Sequence, residues 1–339
     1  MSSLGLFHKA GKYENETVGS KLSFMMLLKK KRFLAGFLIL LGYSIIAMMD
    51  VAVPEYLGAG YGLVTQLTVF IRGASTVPLP PTLKPSILYG SGPAWWYYLG
   101  TTYDGIPILP AILSSMYIDM GYTGLVVFLS SMTGLLVGTL SGYFGGIVDE
   151  VLMRFMDAFI SLPFYVTAIG ISLLFSISLQ INNIPFDGLD VLSIALTISL
   201  FPVYARISRS ATMNIRKTRY IDAAITGGSN HIKNLFQHVI PNALSPVIIQ
   251  ITLNVGSVIL FLSFIEYLNL QNVFGLSKFL PDMGNLIAQG SLMVQPVPGG
   301  FSDWWTTAIP VLFLVIIVVG VNIMGDGLRD ALDIGRRDV

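Results

Sequence analysis

The sequence predicts an all-α protein that crosses a membrane with six helices. Only 12% of its 339 residues are charged, against about 25% in a soluble domain, and 53% are hydrophobic. Six windows of about membrane-spanning length contain no Asp, Glu, Lys or Arg. A charge at the bilayer centre costs at least about 2.5 to 3.5 kcal/mol on insertion scales. Six such windows in one chain therefore indicate a polytopic membrane protein rather than buried soluble helices.

The predicted spans follow from these windows. They cover residues 33–49, 121–144, 158–179, 191–205, 243–265 and 306–325. Of the 20 Lys and Arg residues, 17 lie in the N-terminal segment, the connections between spans two and three and between spans four and five, and the C-terminal segment. The positive-inside rule then places both termini in the cytoplasm and the protein in the cell membrane.

This orientation divides the chain into predicted segments. They are a cytoplasmic tail 1–32, a first transmembrane helix 33–53, an external loop 54–117, a five-helix core 118–326 with an inner loop 206–242, and a cytoplasmic tail 327–339. The inner loop is the longest predicted cytoplasmic connection. It is therefore the first place to look for contacts with a partner outside the membrane.

Glycine repeats at every fourth position of span two. The repeat consists of Gly134, Gly138, Gly142 and Gly146. Residues at this spacing share one helix face, and a face without side chains lets another helix approach closely. Helix packing is therefore preferred here over contact with a ligand. Pro163 and Pro202 are predicted to kink spans three and four, because proline lacks a backbone donor.

Polar residues within the spans leave two functions open. Gln250, Asn254 and Ser257 form a stripe on span five, which suits either hydrogen bonding between helices or the lining of a pathway. Glu266 and Asp50 are the acids closest to the hydrocarbon, at the ends of spans five and one. A terminal carboxylate usually reaches water, and we favour that interpretation over a proton or cation relay.

Several function classes find no support in the sequence. The chain has no cysteine, and its net charge of +1 offers no attraction to nucleic acid. It contains no HExxH, GxSxG or zinc-spaced His motif, and its nearest approach to a phosphate loop, Gly5 to Lys12, has the wrong spacing. We therefore predict a chain that is not an enzyme, with no metal site and no cofactor of its own.

The most informative segment is residues 218–242, which we call the knob. A short helix is predicted from about Thr218 to Ala224, and Gly227 and Gly228 should end it. Ser229 or Asn230 can then cap a second short helix, which Pro241 should stop before the chain re-enters the bilayer. The small residues Ala223 and Ala224 would allow another surface to approach.

These residues also resemble a known motif. The series Asp222, Ala223, Ala224, Gly228, His238, Pro241 and Asn242 is similar to the EAA loop of permeases in binding-protein-dependent ABC importers. Residues 142–163, 281–290 and 324–333 resemble the second permease subunit of dipeptide and oligopeptide importers, a DppC/OppC-like family that includes nickel importers. The resemblance covers about residues 20–337.

The resemblance implies the transmembrane domain of a type I (MetI-like) ABC importer. In this family the EAA loop forms a coupling helix that sits in a groove of a cytoplasmic ATPase, and closure of the ATPase pair tilts the membrane helices. The implied coupling residues are Asp222, Ala223, Ala224, Gly228, His238, Pro241 and Asn242. The implied partners are a second homologous permease, two ATPase subunits that bind ATP and Mg, and an extracellular solute-binding protein.

Departures from the family pattern leave the solute open. The usual Glu of the loop is Asp222, and a Glu often found six residues after the span-five glycine is Leu262, with Glu266 the nearest acid. Among the solutes that such importers carry, peptides are preferred here over oligosaccharides and nickel chelates. The alternative function is a self-sufficient ion-coupled carrier or channel, which would need an ionisable residue well inside a span.

Overall fold

The computed structural model describes residues 27, 30–52, 78–82, 97–102, 105–181, 188–268, 282–297 and 300–337. Within these ranges the chain is almost entirely helical. The elements are α1 (Lys31–Ala52), α2 (Ile108–Phe144), α3 (Gly146–Ile160), α4 (Phe164–Ile181), α5 (Gly188–Arg216), α6 (Arg219–Thr226), α7 (His231–Asn234), a π-helical turn (Leu235–Val239), α8 (Ile240–Tyr267), α9 (Met283–Met293), a hairpin of β1 (Pro296–Val297) and β2 (Gly300–Phe301), and α10 (Trp305–Arg337). The predicted tail 1–32 and loop 54–117 lie largely outside the described residues.

Four helical segments among the described residues are long and apolar enough to cross a membrane, and a fifth crossing follows if the bent pair α3–α4 counts as one. The four are Ile108–Phe144, Asp190–Arg216, His231–Tyr267 and Trp305–Asp330. The predicted class, an all-α polytopic membrane protein, is therefore confirmed. The 22-residue helix α1 lies at the first predicted span, and the count of six stays a prediction.

Three helices extend beyond their predicted spans. Helix α2 begins at Ile108, inside the predicted external loop, α5 continues past Ala205 to Arg216, and α10 continues to Arg337 through the predicted tail. A charge-free window measures only the apolar part of a helix. The backbone hydrogen bonds of a helix continue in polar surroundings, so such a window underestimates helix length.

Pro163 breaks the third predicted span instead of bending it. Helices α3 and α4 meet at an angle of 95°, and residues 158–160 belong to α3. Proline donates no backbone hydrogen bond and disfavours the helical conformation of Leu162 before it, so the chain leaves the helix here. In contrast, α5 passes through Pro202 as one helix.

The repeated glycines of α2 form the contact between α2 and α5, the most extensive helix pair among the described residues. An added Cβ at Gly134 would lie 2.6 Å from the carbonyl oxygen of Phe201, and one at Gly142 would lie 2.8 Å from that of Arg209. At Gly138 an added Cβ would overlap Ser208 and the carbonyl oxygen of Ala205. The two backbones therefore lie too close for any side chain on this face.

The prediction that Gly146 belongs to the same glycine face is wrong. Gly145 has a φ of 65° and ends α2, so Gly146 begins α3 instead of continuing the repeat. An added Cβ at Gly146 would meet no atom of the described chain within 4 Å. Spacing of four residues places side chains on one face only as long as the helix continues.

Two apolar clusters join the remaining helices. One contains buried residues of α2, α4, α5 and α8, including Leu135, Ala168, Leu196 and Phe261. The other joins α1, α2, α8, α9 and α10. Helices α2 and α8 belong to both clusters, so they form the centre of the bundle.

Three carboxyl groups meet at the end of the bundle opposite the knob. Asp119 of α2, Glu266 of α8 and Asp282 before α9 are 5%, 1% and 2% exposed. Asp282 caps α9 by accepting a hydrogen bond from Asn285 N at 2.6 Å, and Asp119 accepts one from Met283 N at 3.4 Å. Glu266 therefore does not reach water as its position at the end of a span suggests. The side chain of Asp50 lies outside the described residues.

The ionisation of these groups is coupled. The carboxyl groups of Glu266 and Asp282 interact, and two ionised carboxylates buried side by side repel each other. Burial raises the pKa of Asp282 to about 7 from its ordinary value of 3.8. Asp119 Oδ1 and Glu266 Oε2 have no hydrogen-bond partner among the described residues. The junction of α2, α8 and α9 therefore depends on protonation.

We predict that Gly138→Ala lowers the melting temperature in detergent, because the added methyl group would force α2 away from α5. The overpacking cost should be about 1 to 3 kcal/mol. Gly124→Ala is the matched control on α2, where an added Cβ meets nothing within 4 Å. This change should be neutral or stabilising, since Gly costs up to about 1 kcal/mol relative to Ala in a helix. Equal melting temperatures for the two variants would contradict the close contact.

We also predict that stability falls as the pH rises from about 4 to about 7. In this window the unfolded chain has released the Asp282 proton while the folded protein still holds it, so each rise in pH favours the unfolded state. Asp282→Asn should flatten this part of the profile and keep the cap of α9, since Asn is also a good N-cap. The measurement is the melting temperature in detergent between pH 5 and 8. Asp303→Asn is the control, and parallel profiles for all three proteins would refute the prediction.

Candidate functional site: the knob and the adjoining cleft

The first helix of the knob, α6, has one face inside the protein and one outside. Ile221 is fully buried in a small apolar cluster with Tyr143 of α2, Leu235 and Val239. Asp222 and Ala223 are exposed, and Ala224 is half-buried. The buried side chain fixes the helix to the bundle, and the small and acidic residues face outwards. The predicted short helix is thus present, over Arg219–Thr226.

Gly228 shapes the turn after this helix. Its φ is 83°, in the left-handed region that side chains disfavour. Gly228 N donates to Ile225 O and Ser229 N donates to Ala224 O, both at 3.0 Å. This pair of bonds is a Schellman motif, which satisfies the last carbonyl groups of α6. The sequence therefore needs glycine at this position to end the helix tightly.

The second half of the knob differs from the prediction. Asn230 caps α7 as expected, by accepting a hydrogen bond from Ile232 N. Pro241 does not stop the helix, because it lies in the first turn of α8, directly after the π-helical turn Leu235–Val239. Proline is tolerated in a first turn, where its missing donor is not needed. Asn242 Nδ2 donates to the carbonyl oxygen of His238 at 2.6 Å, so the side chain supports the irregular turn.

The outer surface of the knob carries large apolar side chains. Ile225, Ile232 and Phe236 are 41%, 62% and 58% exposed. They lie in or next to the connection between α5 and α8, near the exposed polar residues Lys233 and Gln237. Apolar side chains exposed in such surroundings are typical of a protein contact surface.

Ion pairs hold α3 against α5 near the knob. Arg209 donates two hydrogen bonds to Asp149, which also accepts one from Ser141, and Arg206 pairs with Asp157. The Arg209–Asp149 pair is the more shielded, with side chains 31% and 18% exposed. A bidentate, partly shielded pair contributes more than an exposed one. Arg206 and Arg209 therefore join α5 to α3.

A cleft of about 400 Å³ lies between α5 and the start of α8. Its polar lining comes from Arg206, Ser210 and Asn214, with Pro246 on the α8 side. Residue 250 follows residue 246 by one helical turn, so the predicted polar stripe continues from the cleft along the same face of α8.

Within that stripe, Gln250 Nε2 donates to Asn254 Oδ1 at 3.0 Å. Asn254 Nδ2 is buried, and the Asn254 side chain also interacts with Tyr204 of α5, whereas Ser257 is exposed. The stripe therefore combines a contact between α8 and α5 with an accessible hydroxyl group.

Sequence reasoning missed several residues of these sites. Asp119 and Asp282 lie 163 positions apart and meet only through the packing of α2, α8 and α9, so no local pattern signals them. Tyr143 and Asp149 lie in the glycine-rich segment that resembles the family, next to Gly142 and Gly146. Their position in this segment was the sequence signal that could have identified Tyr143 and Asp149.

Comparison with known proteins identifies the family of this chain. A family model described as "Binding-protein-dependent transport system inner membrane component" matches residues 134–338. The dipeptide transport system permease protein DppC of Haemophilus influenzae is 29% identical over 285 residues, covering 81% of this chain and 90% of that protein. DppC of Alkalihalophilus pseudofirmus is 30% identical over 71% of this chain and 73% of that protein.

A third relative agrees with these two. The oligopeptide transport system permease protein OppC of Haemophilus influenzae is 30% identical over 70% of both chains. The family model covers more than half of the present chain and includes the knob, α8 and α10. The resemblance found in the sequence is therefore confirmed, and the chain belongs to the family of inner membrane components, or permease subunits, of binding-protein-dependent transport systems.

Proposed function

We propose that this permease subunit forms half of the pathway of an ATP-driven importer of di- or oligopeptides, and that its knob docks a partner ATPase. The observation that carries the proposal is the knob itself. Its inner side is anchored through Ile221, and its outer side presents Ala223 beside exposed apolar groups. Peptides are proposed over oligosaccharides and nickel chelates because the relatives above are named for dipeptides and oligopeptides.

The proposed coupling residues have distinct physical roles. Ala223 and Ala224 are small enough for a groove to approach the backbone of α6, and Asp222 adds a negative charge near the start of the helix. Gly228 makes the turn that orients α6 relative to α7. His238, Pro241 and Asn242 form the irregular connection to α8. Together these residues present a folded surface that a partner can push.

The proposed pathway runs along one face of α8. The cleft beside Pro246 leads to Gln250, Asn254 and Ser257, and the exposed hydroxyl group of Ser257 can bind a polar solute or water. Amide and hydroxyl groups recognise peptide groups without holding them by charge. Weak polar binding suits a passage that must also release its solute.

The proposed assembly contains more chains than this one. A second homologous permease would supply the other half of the pathway, and two ATPase subunits would bind ATP and Mg. An extracellular solute-binding protein would deliver the solute. The positive-inside pattern favours a cell-membrane location with the knob and both termini in the cytoplasm.

One observation favours the alternative function, a self-sufficient ion-coupled carrier. Such a carrier needs ionisable groups within its helices, and Asp119 and Glu266 lie buried within α2 and α8. Membership of the permease family weighs against this alternative, because the family name itself specifies a binding-protein-dependent system.

Purification under gentle conditions separates the two functions. The tagged chain would be extracted from its native membrane in mild detergent, and co-purifying proteins would be identified by mass spectrometry. An ATPase and a second permease in the eluate are the expected result. ATP-independent transport by this chain alone in liposomes would instead establish the carrier.

We predict that Ala223→Arg uncouples ATP hydrolysis from uptake while the protein still inserts in the membrane. The long charged side chain would prevent a close contact at an exposed position of α6. The measurement is uptake and ATP hydrolysis by the assembled importer in proteoliposomes. Ala223→Ser is the matched control and should keep coupled uptake, because serine is nearly as small. Normal uptake by the arginine variant would refute the docking role.

We predict that a cysteine at position 233 is labelled only from the cytoplasm and one at position 295 only from outside. The native chain has no cysteine, so each single variant gives an unambiguous signal. Both Lys233 and Gln295 are exposed. Lys233→Cys and Gln295→Cys would be treated with a membrane-impermeant maleimide in intact and opened cells. Labelling of both from the same side would overturn the proposed topology.

A further inference from the structure

The last turn of α2 reaches into the knob through one side chain, Tyr143. This residue is only 4% exposed, although Phe144 beside it is 49% exposed. Its ring packs in the cluster formed by Ile221 of α6 and by Leu235 and Val239 of the π-helical turn. Tyr143 therefore contacts both halves of the knob at once.

The same side chain also makes polar contacts with α7 and α5. The Tyr143 hydroxyl lies 3.0 Å from His231 Nδ1, at the start of α7. The guanidinium group of Arg216, the last residue of α5, lies 5.9 Å from the centre of the tyrosine ring. A hydrogen bond fixes a distance between two groups more sharply than apolar contact does. Tyr143 thus links α2, α5, α6 and α7 at one point.

The covalent connections of the knob are less rigid than this link. A two-residue segment, Lys217 and Thr218, joins α6 to α5. The connection to α8 passes through the π-helical turn and Pro241, where regular helical hydrogen bonding is interrupted. A displacement of the knob can be absorbed partly by bending at these segments.

Helix α2 is well placed to receive a displacement through Tyr143. Gly142, the preceding residue, belongs to the tight contact with α5. Helix α2 runs without interruption from Ile108 to Phe144, so the same helix also carries Asp119 of the buried carboxyl groups. Close-packed helices move as a unit, because their contact does not deform continuously.

We propose that Tyr143 is the positioning residue through which movement of the knob is passed to α2 and, through the glycine contact, to α5. The proposal rests on the proposed function, because it assumes that an ATPase moves the knob. Tyr143 does not touch the solute. It fixes the position of the knob relative to α2, so that closure of the ATPase moves the membrane helices.

The test compares Tyr143→Phe with wild type in the assembled importer in proteoliposomes. The variant keeps the ring and removes only the hydroxyl group that reaches His231. The expected result is a fall of about two- to tenfold in solute transported per ATP hydrolysed, the range that corresponds to one neutral hydrogen bond. Tyr117→Phe is the control, since Tyr117 is an exposed tyrosine of the same helix. It should leave the ratio unchanged.

A double-mutant cycle with His231→Leu tests whether the two groups act together. If the hydroxyl acts through His231, the double variant should transport as much solute per ATP as Tyr143→Phe alone. Full additivity of the two effects would overturn the proposal. So would a lower melting temperature with an unchanged ratio, because that is the result expected of a purely structural residue.

Ala223→Arg in the same assay separates this proposal from the proposed function. Uncoupling by Ala223→Arg with a normal ratio for Tyr143→Phe would reject only the role of Tyr143. Coupled uptake by Ala223→Arg would reject docking through the knob, whatever the behaviour of the tyrosine variant. The expected outcome is uncoupling by Ala223→Arg, a reduced ratio for Tyr143→Phe and an unchanged ratio for Tyr117→Phe.

Discussion

The contact between the backbones of α2 and α5 is the constraint on which the rest of the structure depends. Gly134, Gly138 and Gly142 allow this contact by leaving no side chain between the helices. Because lipid tails are as apolar as leucine, helices in a membrane gain little from hydrophobic burial against each other and depend on such close packing. The pair carries the arginines that hold α3, the tyrosine that enters the knob, and one side of the cleft.

Different interactions stabilise the two ends of the bundle. Near the knob, arginines of α5 pair with aspartates of α3, and the contacts remain partly hydrated. At the other end, three carboxyl groups are buried, and backbone donors of α9 bind Asp119 and Asp282. Ion pairs depend on salt, whereas a buried carboxyl group with a raised pKa depends on pH. The two ends of the bundle can thus respond to different conditions.

The sequence predicted those features that depend on local physics. Charge-free windows located the apolar helices because bilayer thickness sets their length, and Gly228 was predicted to end α6 because a left-handed residue is needed there. The full length of α5, the break at Pro163 and the passage of the helix past Pro241 were not predicted, since each depends on what surrounds the backbone. The burial of Glu266 requires Asp119 and Asp282 to be close in space, which one sequence cannot reveal.

The Schellman turn at Gly228 has a consequence for the thermodynamics of any complex that the knob forms. Its backbone bonds, together with the Asn230 cap and the buried Ile221, order this surface before a partner arrives. Association then costs little conformational entropy in the knob, because residues 218–242 are already folded before contact. A preorganised surface of this kind can bind and release repeatedly without refolding, so the lifetime of each contact is set by the quality of the interface alone.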